Sequence, residues 1–250
     1  MKSYIVGISG QLNSGKDTFA SMLNYIFYKG VAKANYSDWL THRVKWDLTN
    51  EHRITHFADP MKDCLSIIYN IPRKYFDDRD KKDVEWYSFS QRRFLTEAEA
   101  SFSEYVGITI ESLTVKYNLN YIIEDIERKG KTPVIRLRTL MQYFGTEIGR
   151  KLLGNNLWIN STMYRAADIA ETTGLCIIPD VRYRNENNAI VKHILYGGDI
   201  EIRRESTDQV AKHDSEDIDF KSTFPIQNNG TKMQLFYKAV GFANHMLKCY

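Results

Sequence analysis

Three cysteines in 250 residues, Cys64, Cys176 and Cys249, are too few and too scattered to build a metal cage or a disulfide scaffold. An odd number cannot all pair within one chain, so reduced thiols in a cytoplasmic protein are expected. Charge of one sign is scarce too. Lys and Arg total 34 against 31 Asp and Glu, a net +3. That balance gives no case for a nucleic-acid polymer or a membrane surface as partner. No apolar stretch approaches the ~20 residues that span a bilayer. Gly7 and Gly10 break the N-terminal apolar run before it reaches signal-peptide length. Also missing are a Ser/His/Asp arrangement, an Asn-Lys-x-Asp guanine reader, internal repeats and low-complexity tracts. His213 and Glu216 stand as an isolated pair without a further ligand at zinc spacing.

What is present begins almost at once. Tyr4-Ile5-Val6-Gly7-Ile8-Ser9 is a short apolar run, followed by Gly10-Gln11-Leu12-Asn13-Ser14-Gly15-Lys16-Asp17-Thr18 and then Phe19-Ala20-Ser21-Met22-Leu23. The order is strand, glycine-bounded loop, helix, and the spacing Gly-x4-Gly-Lys is that of a phosphate-cradling loop. Glycines permit a tight turn in which successive N–H groups face an anion. The helix adds unsatisfied N–H groups and the positive end of its dipole. Gly10, Asn13, Ser14, Gly15, Lys16, Asp17 and Thr18 are therefore candidate ATP-binding residues. Asp17 stands where most such loops carry Ser or Thr, and Thr18 follows it; Gly-Lys-x-Thr resembles the adenylate-kinase-like arrangement.

The chain is long enough for a sizeable α/β core. Five strands are expected: Tyr4–Ser9, Arg53–Ala58, Leu175–Ile178, Asp199–Arg203 and Thr223–Gln227. They are short and largely apolar, as strands buried on both faces are. Helical patterns fall at Lys16–Tyr28, from Asp59-Pro60 with Asp59 as cap, and at Arg138–Arg150, Trp158–Glu171, Asn185–Tyr196 and Lys232–Met246. Alternating strands and helices imply a five-stranded parallel sheet flanked by helices. The whole chain, 1–250, reads as one domain. Residues 70–130, rich in charge and aromatics, break the rhythm and read as a partly helical insertion, with Glu111–Lys129 its best helix.

Four further segments carry a resemblance. They are Phe57-Ala58-Asp59-Pro60-Met61-Lys62; Arg138 through Gln142 to Arg150, with Trp158 after it; Pro179-Asp180-Val181-Arg182-Tyr183-Arg184-Asn185-Glu186; and His213-Asp214-Ser215-Glu216 with Asn228-Asn229-Gly230-Thr231. With the loop at Lys16, this ordered set resembles the bacteriophage-type deoxynucleoside monophosphate kinases. The Gln142–Arg150 stretch is its most specific part, and residues 30–50 and 70–130 contribute little. The resemblance implies a P-loop kinase fold, ATP and Mg²⁺ as cofactors, a deoxynucleoside monophosphate as substrate, and the cytoplasm, a host's if the chain is viral. Oligomeric state stays open, a homodimer included.

Chemistry supports those implications. Phosphoryl transfer needs positive charge around a crowded anion and little covalent work from the protein. Lys16 serves the donor phosphates. Asp17, Thr18 or Asp180 offers hard oxygen ligands to Mg²⁺, directly or through water, though Asp180 also suits a helix cap. Arg138 and Arg182 suit the transferring group and the acceptor phosphate, because guanidinium grips phosphate in pairs of hydrogen bonds; a surface ion pair is the alternative. Arg150 either binds substrate or offsets a helix dipole. Trp158 either stacks on a base or packs in the core. Gln142 and Glu186 are candidate base or sugar contacts, with a dipole role open for Glu186. Lys62 either faces phosphate or is solvated, and Asn229 either touches the donor base or simply turns the chain. The rivals are a kinase of another phosphorylated metabolite, phosphomevalonate-like, and a non-catalytic nucleotide-binding switch.

Overall fold

A computed structural model of the chain describes residues 3–11, 13–48, 53–84, 86–88, 91–96, 134–192, 197–203 and 220–249. In chain order the first described elements are β1 (Tyr4–Ser9), α1 (Lys16–Lys29) and α2 (Tyr36–Leu48). Then come α3 (Asp59–Tyr69), α4 (Lys74–Asp77), α5 (Arg79–Val84), β2 (Trp86–Ser88), β3 (Arg93–Phe94), β4 (Val134–Arg136) and α6 (Leu137–Tyr143). A π-helix covers Phe144–Leu153. The chain continues with α7 (Leu157–Thr173), β5 (Leu175–Val181), α8 (Arg184–Val191), β6 (Gly197–Arg203), β7 (Phe224–Gln227) and α9 (Lys232–Cys249). Two compact units result, one of residues 1–57 and 159–250, the other of 58–158.

The first unit holds a parallel four-stranded sheet in the order β5-β1-β6-β7. Period-two alternation divides β1 between two cores. Tyr4, Val6 and Ile8 join α1 and α9 side chains such as Leu23 and Phe236, whereas Ile5 joins Ile159, Met163 and Ile190 on the other face. Gly7 leaves room there: a Cβ would lie 2.5 Å from Ile190 Cδ1. β5 divides likewise, Leu175 and Ile177 to one side, Cys176 and Ile178 to the other. Helices on both faces explain why these strands read as near-continuous apolar runs.

One expected strand is reduced. Arg53–Ala58 makes a single parallel bridge, Ile54 to Ile177, with the Thr55 N–H donating to the Ile177 carbonyl at 3.0 Å. The next rung of a parallel ladder would need an N–H from residue 179, and Pro179 has none. The Phe57 N–H goes instead to Oδ1 of Asp180 at 3.0 Å. Four strands form a ladder among the described residues, and the fifth segment lies beside β5 as a bridge.

Within the span read as a partly helical insertion, the described residues hold the helices α4 and α5 and also strands. The strands of the second unit form an antiparallel sheet in the order β3-β2-β4. Tyr87 of β2 packs edge-on against Phe94, their centroids 5.3 Å apart, in a core with Leu65, Phe76, Leu137 and Leu140. Asp59 is not a cap: it is the first residue of α3, preceded by Ala58 in αR geometry without a side-chain cap bond. Its carboxylate accepts from Arg73 at 2.8 Å instead. Glu111–Lys129, like His213–Glu216, lies outside the described residues.

Candidate active site

β1 ends at Ser9 and α1 begins at Lys16, so the loop between them presents its backbone at the helix N-terminus. Gly15 adopts φ 95°, a left-handed conformation that glycine takes without a Cβ penalty. Substitution meets a second obstacle, since a Cβ there would lie 2.5 Å from Asn228 Nδ2. That amide donates to the Ser14 carbonyl at 2.8 Å. The Ser14 N–H donates to the Gln11 carbonyl at 3.1 Å, closing a turn. Asn13 is also left-handed, at φ 62°. The Ser14 hydroxyl is buried and finds no hydrogen-bond partner. A buried donor left unmatched two residues before a helix N-terminus fits an anion as its missing partner.

Asn228 was not among the residues singled out from the sequence, where attention fell on its neighbour Asn229. Its signal was the Asn-Asn-Gly turn after the last strand, and only the parallel sheet order brings that turn to Ser14.

Around the end of β5, two carboxylates organise the backbone. Asp180 accepts the Phe57 N–H with Oδ1. Glu186, 2% exposed, accepts the N–H groups of Arg182 at 2.9 Å and Tyr183 at 3.1 Å with one oxygen, Oε2. This is the back-reaching half of a capping box, which satisfies donors at the start of α8. Arg182 itself is exposed. Asp17 is exposed and Thr18 half-buried; both line a cavity of ≈ 340 Å³ beside α1.

The second unit carries the remaining candidates. Arg138 faces Asp83 in a two-pronged pair, Nη2 to Oδ2 at 2.8 Å and Nε to Oδ1. Asp83 holds the guanidinium's pKa above its ordinary value, outweighing a smaller opposing effect of burial. Lys62 donates to Asp77 at 2.8 Å and lies 3.8 Å from Asp59, so its ammonium belongs to an ion-pair cluster. Arg73 completes that cluster with bonds to Asp59, Asp63 and Asp77. Burial alone would raise the Asp77 pKa, but the hydrogen bonds from Arg73 and Lys62 prevail and hold it below the usual carboxylate value. Gln142 is exposed and Arg150 half-buried.

Trp158 is 6% exposed. Its indole N–H donates to the Gly145 carbonyl at 2.9 Å, and Phe144 packs 6.0 Å from it, centroid to centroid. The ring thus belongs to the core of the second unit. Gly149 sits under the ring so closely that a Cβ would be 2.4 Å from Trp158 Cζ2.

A family model described as deoxynucleotide monophosphate kinase matches residues 4–238 of this sequence. The chain belongs to that family. It is also similar to the deoxynucleoside-5'-monophosphate kinase of Escherichia phage T5, 24% identical over 200 residues, which cover 75% of this chain and 72% of the relative. The protein is thus a nucleoside monophosphate kinase, a phosphotransferase acting on deoxynucleotides. Neither the phosphomevalonate-like reading nor the switch is favoured by these likenesses. A kinase of this kind uses a nucleotide substrate. No helix among the described residues is long and apolar enough to cross a membrane.

Proposed function

We propose that the kinase takes ATP as donor, with Mg²⁺, and that the Gly10–Lys16 loop is where the donor phosphates bind. The observation that carries this is the loop itself: left-handed Gly15 at the start of α1, and a buried Ser14 hydroxyl still lacking a partner. A phosphate oxygen supplies that partner, and Lys16 supplies a full charge beside it. The likeness of the sheet to a five-stranded P-loop kinase, adenylate-kinase-like, is part of the same proposal; the Ile54 bridge beside β5 supports it.

Asp17, Thr18 and Asp180 form an all-oxygen donor set, which suits Mg²⁺ and would hold it directly or through water. The ion would neutralise charge on the donor phosphates. Arg182 grips the acceptor phosphate, with Glu186 fixing the Arg182 backbone. Arg138 enters from the motif resemblance alone, as the group that stabilises the transferring phosphoryl; Lys62, Gln142 and Arg150 enter on the same ground as acceptor-binding groups, and Asn229 as a donor-base contact. The acceptor phosphate is largely dianionic at neutral pH, because its second pKa is roughly 6, so no general base is required. In the reaction such a set serves, an acceptor phosphate oxygen bonds to the γ-phosphorus as the β–γ bridge bond breaks. A nucleoside diphosphate and the donor's diphosphate result.

The test is a coupled assay with ATP, Mg²⁺ and each deoxynucleoside monophosphate in turn, on the unmodified chain and on Lys16→Met. Activity should fall on the order of 10²–10³-fold in the variant, the scale set by loss of one preorganised charge-stabilising group, with an unchanged thermal midpoint. An active Lys16→Met, or no turnover by the unmodified chain with any of the four, refutes the reading.

A further inference from the structure

We propose that the ≈ 340 Å³ cavity beside α1 is the nucleoside pocket of the acceptor, and that Ser21 and Ile54 help set its fit to the base. This rests on the kinase reading above. The cavity is lined wholly by residues of the first unit, Asp17 and Thr18 just after Lys16 among them.

Its lining is mixed in the way a base and sugar require. Ile54, Pro179 and the buried indole of Trp39 give apolar contact area, while Ser21, His56 and Lys232 bring polar groups. A planar ring with hydrogen-bonding edges suits such a lining, as small-molecule pockets are mostly apolar with a few placed polar groups. The volume falls near the lower end of the ~300–1,000 Å³ typical of such pockets, the size of one small ligand. Ser21 is already oriented. Its Oγ accepts the Trp39 indole N–H at 3.2 Å, so the hydroxyl keeps its own proton to donate to a ring nitrogen or carbonyl oxygen.

The acceptor is favoured over the donor by chain position. Pro179 lines the cavity, and three residues later comes Arg182, whose backbone Glu186 holds. Pocket wall and phosphate-gripping arginine thus leave the same strand. His56, also in the lining, lies one residue before Phe57, whose N–H Asp180 holds, so this part of the cavity is tied to that strand end as well.

Two substitutions test the assignment, each measured for deoxynucleoside monophosphate affinity by calorimetry, for KM of ATP, and for thermal midpoint. Ile54→Phe fills the cavity and should weaken monophosphate binding by about tenfold or more, while KM for ATP stays within about twofold. Ser21→Ala removes the donated hydrogen bond and should weaken it about two- to tenfold. Should Ile54→Phe fail to melt cooperatively, Ser21→Ala decides. Unchanged monophosphate affinity in a folded variant overturns the assignment while leaving the kinase reading intact. A raised KM for ATP with monophosphate affinity unchanged overturns it also, by making the cavity a donor pocket. Absence of monophosphate turnover in the unmodified chain overturns the kinase reading, and this assignment with it.

Discussion

Gly149→Ala sets two physical effects against each other within one residue. Helix propensity alone favours Ala over Gly by about 1 kcal/mol. Packing opposes it. The new methyl would stand 2.4 Å from both Cζ2 and Nε1 of Trp158 and 2.5 Å from Cε2, whereas carbon contacts settle at roughly 3.5–4.0 Å. An overlap of more than ~1 Å has to be relieved by moving the backbone or the ring. The ring resists, being buried, bonded to the Gly145 carbonyl and packed on Phe144. Overpacking of this kind costs about 1–3 kcal/mol, and stretching the indole bond adds about 0.5–1.5 kcal/mol. Subtracting the propensity gain leaves a net loss of about 0.5–3.5 kcal/mol. At about 2–4 °C per kcal/mol for a chain of this size, the thermal midpoint should drop by roughly 1–14 °C. Calorimetry on Gly149→Ala, Trp158→Phe and the double variant gives the full cycle. The smaller phenyl ring makes room, so the double variant should be more stable than the two single losses sum to. A midpoint that rises in Gly149→Ala, or a cycle that is strictly additive, refutes the argument that Trp158 pins the π-helix.

Two further outcomes follow from buried groups. Glu186→Gln keeps the shape of the side chain but replaces a carboxylate that accepts both Arg182 and Tyr183 N–H groups. Stability should fall by about 1 kcal/mol or more in urea titration, and kcat should fall with it; unchanged kcat would show that Arg182 needs no such bracket. Burial pushes the Cys176 thiol up to about 12, so it stays protonated in the folded chain where an unfolded thiol has ionised. The folded pKa is the higher one. This group's contribution is therefore intact below about pH 8.5 and declines as pH climbs toward the folded value, by up to about 1.4 kcal/mol per pH unit. Cys176→Ala should show a shallower alkaline decline than the unmodified chain, and an identical slope would remove Cys176 as its source. A thiol reagent at pH 8 should modify exposed Cys64 while sparing Cys176 in the native protein.

Much of the first unit was legible because its signals are local. Alternating apolar residues at Tyr4–Ser9, the glycine spacing, and the change to helical period after Lys16 act within twenty residues of each other. The failed strand at Arg53–Ala58 was not legible, since what limits it is a missing N–H on Pro179, more than a hundred residues away. Strands of two or three residues such as β2 and β3 are too short for alternation to register, so the small sheet was hidden in charged sequence. The Arg138–Arg150 helix was placed correctly, but its continuation as a π-helix from Phe144 could not be read, because Phe144 and Ile148 keep the spacing of an ordinary helix. Among the candidate site residues, Lys16 and Arg182 stand out from local motifs. Asn228 does not, because its role depends on which strands become neighbours.

The bond from Asn228 to Ser14 spans 214 positions of sequence, and among the described residues β1 pairs with β5 and β6, both far later in the chain. A fragment that stops short of Asn228 keeps the glycine spacing of the loop yet lacks the amide that holds the Ser14 carbonyl. Such a fragment carries the signature without the clasp that helps to shape it.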